Sequence, residues 1–334
     1  MLRRTIIRIL IFCLTVWVAI TVNFIIVRAT PVDPIAGILG RMASKGQSVQ
    51  GGAEIVAFYR DTFALDEPWP VQYFMYLRQL LSGNLGYSLA YFPATVGDVL
   101  LHAIPWSLGL LLTAVSIAFV VGNLLGALGS WRRAPLVLRG LIYLSMTISA
   151  VPFYLLALIL LYLFAFMWPI LPTGGSFTVG STRDFSLATA IDFIRHAILP
   201  VGSIALGLVG FWALSMRGVM TTVLDEDYLM YGRVKGLRER TLFLHYGVRN
   251  AILPQVTALA IDMGQLISGQ VLVEAIFNYP GVGTVLFNAL RTSDYFVIQG
   301  VVLFIIVSVS LAMLVVDLVY PLIDPRITAG EAGR

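Results

Sequence analysis

Several apolar runs in this chain are too long for the interior of a soluble domain. Ile9 to Val27 contains no charged side chain, and further runs follow at Ile104 to Gly129, Leu141 to Trp168, Ile198 to Leu214, Ile252 to Ala275 and Ile298 to Tyr320. A helix needs about 20 apolar residues to cross a hydrocarbon core of about 30 Å, where every backbone N–H and C=O must be satisfied within the segment. Each run is therefore expected to be a helix, and the chain an all-α integral membrane protein with six transmembrane helices. Composition agrees. Only 12% of the 334 residues are charged and 58% are hydrophobic, whereas a soluble domain carries about 25% charge.

The cations order these spans. Arg3, Arg4 and Arg8 precede the first; Arg132, Arg133 and Arg139 separate the second from the third; Arg217, Arg233, Lys235, Arg238, Arg240 and Arg249 separate the fourth from the fifth. The short connections on the other side hold only Arg183, Arg195 and Arg291. By the excess of Lys and Arg on the cytoplasmic face, both termini and both basic loops are expected inside, an alternation that five or seven spans would break. The charge order before Ile9 resembles a signal peptide, but the run is too long and no small-residue cleavage site follows it.

The expected organisation is then residues 1–28 as an N-terminal tail and first span, 29–103 as an external segment and 104–320 as a five-helix core. Residues 216–251 form a cytoplasmic loop within that core, and 321–334 a cytoplasmic tail. The external segment carries the turn signals Asp33-Pro34, Gly51-Gly52 and Asp66-Glu67-Pro68. Within it Val71, Phe74, Leu77 and Leu81 recur at helical spacing beside Trp69, Tyr73 and Tyr76. This is either a short helix lying at the membrane interface or an ordinary packed surface helix.

Several chemistries are excluded. The phosphate-cradling loop of an ATPase ends Gly-Lys-Ser/Thr, and the two lysines, Lys45 and Lys235, are each followed by glycine, so ATP hydrolysis is expected in a separate polypeptide. His102, His196 and His245 are scattered and Cys13 is the sole cysteine, so neither a metal site nor a cofactor is expected. No Gly-x-Ser-x-Gly elbow marks a hydrolase. The arginines gather in separate loops, so nucleic acid is no expected partner; membrane lipid is.

Inside the spans, Gly122 with Gly126, Ser203 with Gly207, and Gly264 with Ser268 stand four residues apart, which lets helix backbones approach closely. Pro152 should kink the third span. Asp262 would lie about 12 Å into the fifth span, counted from Pro254 at 1.5 Å per residue. Glu274 sits near that span's outer end and Asp317 near the inner end of the sixth. A charge at such depth costs at least about 2.5–3.5 kcal/mol. Asp262 and Glu274 are therefore either satisfied within the bundle or exposed to a water-filled pathway. Ion-coupled carriers use such groups, so a secondary carrier is an alternative reading.

The most informative segment runs from Asp225-Glu226-Asp227-Tyr228 through Tyr231-Gly232-Arg233-Val234-Lys235-Gly236-Leu237 to Arg249-Asn250-Ala251-Ile252-Leu253-Pro254. Gly236 is placed to end one helix and begin another. Leu229, Tyr231, Val234 and Leu237 can form one apolar edge while the cations face water or a partner. Such a surface suits docking onto another protein, or equally a basic loop held near anionic headgroups.

The Glu-Asp-Tyr, Arg-x-Lys-Gly-Leu and Arg-Asn-Ala-Ile-Leu-Pro elements resemble the EAA loop of permeases from the oligopeptide, dipeptide and nickel class of ABC importers, of the first-permease type with a large external loop after the first span. Further landmarks agree along nearly the whole chain: Gly83-Asn84-Leu85-Gly86-Tyr87-Ser88, Leu171-Pro172-Thr173-Gly174-Gly175, Glu274 to Gly283, and Asp324-Pro325-Arg326. The resemblance implies the type I importer permease fold, in the bacterial inner membrane. It assigns Asp227, Tyr228, Arg233, Lys235, Gly236, Leu237, Arg249, Asn250 and Pro254 to the loop that couples to the ATPase. It further implies a second homologous permease, two ATPase subunits and an external solute-binding protein as partners. The expected cargo is a peptide, with an oligosaccharide, an opine or a chelated metal as alternatives. Where that family has small residues, often alanine, this chain has Tyr231 and Gly232. Glycine weakens a helix by about 1 kcal/mol relative to alanine, so the coupling helix is expected to start later or dock differently.

Overall fold

The computed structural model describes residues 2–29, 67–88, 90–91, 93–131, 134–181, 184 and 186–323, without the side chains of residues 2–5, 27, 260–269 and 316–323. Outside that description fall much of the external segment with its turns at 33–34 and 51–52, Arg132 and Arg133, the side chains of Asp262, Asp317 and Tyr320, and Asp324-Pro325-Arg326.

The described chain is mostly helical. In order come α1 (Leu2–Ala29), α2 (Trp69–Leu81), α3 (Val96–Gly129), α4 (Leu136–Ser149) and α5 (Phe153–Leu161), which continues as a π-helix over Tyr162–Met167. Then follow α6 (Leu187–Leu224), α7 (Asp227–Val234), α8 (Glu239–Thr241), a π-helix over Leu242–Val248, α9 (Arg249–Gly269), α10 (Val271–Ile276), α11 (Val282–Arg291) and α12 (Tyr295–Ile323). Among the described residues four helices are long and apolar enough to span a membrane, within α1, α3, α6 and α12, and five if α4 with α5 counts as one span.

The helix ends are set locally, which is why they overrun the apolar runs. At the start of α3 the Thr95 hydroxyl donates to Asp98 Oδ2 at 2.6 Å and accepts from Asp98 N at 3.1 Å. This reciprocal cap lets the helix begin eight residues before Ile104. Ser186 caps α6 by accepting from Thr189 N at 3.3 Å, well before the expected start at Ile198. At 38 residues α6 is about 57 Å long, far more than a bilayer core requires.

The third span differs most from expectation. Instead of a kinked helix, α4 and α5 are bent by 103° at the break around Ala150-Val151-Pro152. Proline disfavours helical geometry at the residue before it as well as removing its own N–H, so both sides of the break are released together.

Two compact units divide the chain: Met1–Pro105 with Gly281–Leu311, and Trp106–Pro280 with Ala312–Arg334. In the first, α2 lies on α1 through Phe24, whose ring contacts Tyr73 edge-on at 5.3 Å and stacks on Tyr76 at 5.5 Å, and Thr21 Oγ1 shares a 2.6 Å hydrogen bond with Tyr73 Oη. The packed face of α2 is therefore Gln72, Tyr73 and Tyr76. The apolar stripe points away: Phe74 and Leu81 are 71% and 90% exposed. That outward stripe suits a lipid interface better than a packed surface helix. A buried carboxylate completes this unit. Asp294 Oδ2 accepts from Ser88 Oγ at 2.6 Å and from Ala90 N at 2.8 Å, while Oδ1 accepts from Val297 N at 3.2 Å.

In the second unit α3 crosses α6 at the paired glycines. A Cβ on Gly126 would stand 2.3 Å from the Ala213 carbonyl oxygen, and one on Gly122 2.5 Å from Trp212 Cβ. The two backbones touch there, as the four-residue spacing predicts. Around the crossing the core gathers Leu110, Leu111, Ala114, Ile204, Val209 and Trp212, with Phe119 edge-on to the indole at 5.0 Å.

Candidate functional site

The charged segment between α6 and α9 folds as a compact cap. Only Asp225 and Glu226 separate the end of α6 from the start of α7, so α7 is hung directly on the long helix. Asp227 places a carboxylate in the first turn of α7, where the helix dipole favours it.

The helix starts at Asp227 and runs through Gly232, so the late start expected from Tyr231 and Gly232 is not observed. The reason lies beneath it. Gly232 is buried, and a Cβ there would approach Leu242 Cδ2 to 2.5 Å, so tertiary contact with Leu242 offsets the weak intrinsic helix preference.

The expected apolar edge splits in two. Leu229 is fully buried and with Gly232, three residues on, faces the bundle, whereas Met230, Tyr231 and Val234 are 65%, 69% and 79% exposed. An eight-residue helix thus offers an apolar outward face flanked by Lys235, Arg238 and Arg240, all exposed. Arg233 is less free than expected, since its Nε lies 3.6 Å from Glu239 Oε1.

Gly236 ends α7. Its φ of +76° lies in the left-handed region, its N–H donates to the Arg233 carbonyl at 2.9 Å, and Leu237 N donates to the Gly232 carbonyl at 3.2 Å. These two bonds close the carbonyls that a helix end leaves open.

The two ends of the segment meet. Asn250 Nδ2 donates to Tyr228 Oη at 3.0 Å and to the Tyr246 carbonyl at 2.9 Å, so two residues 22 positions apart are joined in one exposed cluster. Arg249 and Pro254 are exposed near the start of α9. Nothing in the sequence reading anticipated the π-helical turn over Leu242–Val248 that delivers Asn250 to Tyr228, a winding that recurs at functional sites.

Beneath the cap Trp131 stacks on Phe243 at 5.0 Å and 16°, on a small core of Ala127, Met216, Met220 and Ala251. A cavity of about 400 Å³ opens beside this stack, lined among others by Asp225, Leu229, Arg233 and Glu239.

Replacing Asn250 by alanine is expected to loosen the cap more than Tyr228→Phe, because the amide donates both short bonds, whereas the phenol loses the one from Asn250 and a longer 3.4 Å bond to the Tyr246 carbonyl. Limited proteolysis within 225–250 should accelerate by up to about fivefold for Asn250→Ala, the equivalent of roughly 1 kcal/mol of local stability, and less for Tyr228→Phe.

The two pathway candidates are not brought to this cap. Asp262 lies on α9 with its side chain outside the described residues. Glu274, on the short α10, is fully buried together with Val273. Burial and the neighbouring Glu274 push the Tyr279 phenol up to about 12, which keeps it neutral and able to donate. Trp106 packs edge-on to Tyr279 at 5.8 Å and against Phe193 at 5.9 Å, forming an aromatic cluster.

Comparison with known proteins places this architecture. Residues 118–329 match the family described as binding-protein-dependent transport system inner membrane component. A Brucella suis protein with a peptide permease designation is 35% identical over 91% of this chain and 92% of its own length. The di/tripeptide transport system permease protein DppB of Pseudomonas aeruginosa is 32% identical with the same coverage. The glutathione transport system permease protein GsiC of Pectobacterium atrosepticum is 29% identical over 94% of both chains. The match spans α6, α7 and α9, the helices that build the cap. The chain therefore belongs to the binding-protein-dependent transport system inner membrane components, as a multi-pass permease subunit of an ABC importer.

Proposed function

We propose that this chain forms half of the pathway by which small peptides are imported, and that α7 is the element through which ATP hydrolysis in separate subunits moves it. The observation that carries this reading is the outward apolar face of α7, Met230, Tyr231 and Val234, on a helix fixed from below by Leu229 and ended by Gly236. A short, rigidly mounted helix with exposed apolar residues rimmed by cations has the composition of a protein interface. The peptide class rests on the names of the relatives, which are permeases of peptides or of glutathione, itself a tripeptide.

The remaining parts follow from that assignment. Six spans place α7 and both termini in the cytoplasm, with α4 and α5 counted as one crossing and α9 with α10 as another. The segment 29–103, with α2 at the interface, lies outside and receives a solute-binding protein. A second, homologous permease supplies the other half of the pathway. Two ATPase subunits lie below, one of them against the loop 216–251.

Affinity purification of the tagged chain from solubilised native membranes, followed by mass spectrometry, tests this reading. A second permease and ATPase subunits are expected to co-purify. Recovery of the chain alone, in a detergent that preserves such complexes, would overturn it.

A further inference from the structure

The break in the third span is keyed into α6. Ser149, the last residue of α4, accepts from Gly210 N at 2.9 Å and donates to the Leu206 carbonyl at 3.1 Å. Residues 206 and 210 are the two ends of one rung of the α6 ladder, so a side chain from another helix bridges that rung. Few arrangements fix one helix against another so specifically, because the contact addresses a single backbone hydrogen-bond pair and no neighbouring rung.

The surroundings enforce the fit. A Cβ on Gly210 would lie 2.4 Å from the Ser145 carbonyl oxygen and 2.5 Å from Ser149 Oγ, so the two backbones meet there. Just past the break, the Phe153 ring fills the space beside Gly207. Farther along, the Arg217 guanidinium sits 6.0 Å from the centre of the Tyr143 ring. The bent pair therefore grips α6 on both sides of its elbow.

From that grip, α6 continues without interruption to Leu224 and, two residues later, into α7. At 1.5 Å per residue the elbow stands about 21–27 Å from the end of α6. We infer that Ser149 is a positioning residue that clamps the elbow of the broken span to α6, so that any displacement of α7 carries α4 along as one body with α6. The inference rests on the reading of α7 as the coupling helix.

Removing the hydroxyl separates this role from simple stabilisation. Without Ser149 Oγ, Gly210 N and the Leu206 carbonyl, four residues apart on α6, can pair with each other, so no buried group is left unsatisfied. Ser149→Ala should therefore melt within about 2 °C of the parent complex. The test uses the purified complex with Cys13→Ser and spin labels at Val137→Cys on α4 and Thr222→Cys on α6, both exposed positions. The distance between the labels is measured without nucleotide and after trapping with ATP and vanadate.

With Ser149 present the mean distance should be the same in both states. With Ser149→Ala it should broaden or move by more than about 3 Å, beyond the usual 1–2 Å adjustment of packed helices. Ser149→Thr, which keeps the hydroxyl, should restore the single narrow distance. A distance that moves in the parent, or that stays fixed in Ser149→Ala, overturns the clamp, and so does loss of the folded complex in Ser149→Ala. Vanadate trapping in the parent reports on the importer reading independently. If no ATPase co-purifies, that reading fails and takes the clamp's role in transport with it.

Discussion

Replacing Gly236 by proline is expected to abolish ATP-driven uptake while the chain still inserts and accumulates in the membrane. The native φ of +76° lies about 140° from the −65° to which proline is confined, so the ring cannot adopt the turn that ends α7. Proline also removes the N–H that donates to the Arg233 carbonyl. The chain must leave α7 in a different direction, and the exposed face of Met230, Tyr231 and Val234 leaves with it.

Alanine at the same position separates geometry from bulk. A Cβ on Gly236 meets nothing within 4 Å, so only the left-handed backbone is penalised, by about 1–2 kcal/mol. Gly236→Ala should retain partial uptake, and Gly236→Pro none above the level without ATP. Reversing the charges of Arg233 and Lys235 together should resemble the proline variant. Undiminished uptake by Gly236→Pro would remove α7 from the coupling role.

The second large effect is expected at the crossing of α3 and α6. Gly126→Leu forces four heavy atoms into a space already occupied by the Ala213 carbonyl and Met216 Cβ, atoms that cannot swing aside as a side-chain tip can. Overpacking a close-packed interior costs typically 1–3 kcal/mol, and more where backbone must separate. The expected result is loss of monodisperse protein on extraction, or a melting temperature lower by roughly 5–10 °C.

Gly109 lies on the same helix, where a Cβ would meet nothing within 4 Å. Gly109→Leu should be close to neutral. If the two leucine variants behaved alike, the backbones would not meet where the structure has them meet. Measurement of both by a thermal unfolding assay in detergent decides it.

The features that sequence made legible are those that depend on one element at a time. Apolar runs located α1, α3, α6 and α12, helical spacing located α2, and Gly236 marked the end of α7, because each signal is carried by a few consecutive residues. What stayed hidden depends on direction or on partners far along the chain. The four-residue spacing of α2 gave a helix, yet the face that packs is the aromatic one around Tyr73 and Tyr76, chosen by Phe24 of α1. Pro152 signalled a break, but neither its 103° angle nor the contacts of Ser149 and Phe153 with α6. The cap joining Thr95 to Asp98 was readable, since the pattern occupies four residues, and would have moved the start of α3 outward. No local pattern could have paired Asn250 with Tyr228, or shown that Val273 and Glu274 turn inward together.

The latch at Asp294 has a consequence for how the protein is made. Ser88 and Asp294 are separated by 206 residues, so their bond is among the longest-range closures in the chain. Translation at about 5–20 residues per second puts at least ten seconds between them. Throughout that interval the turn at Ser88 and Ala90 lacks its acceptor. A chain that stops short of Asp294 therefore keeps the turn at Ser88 and Ala90 unfastened.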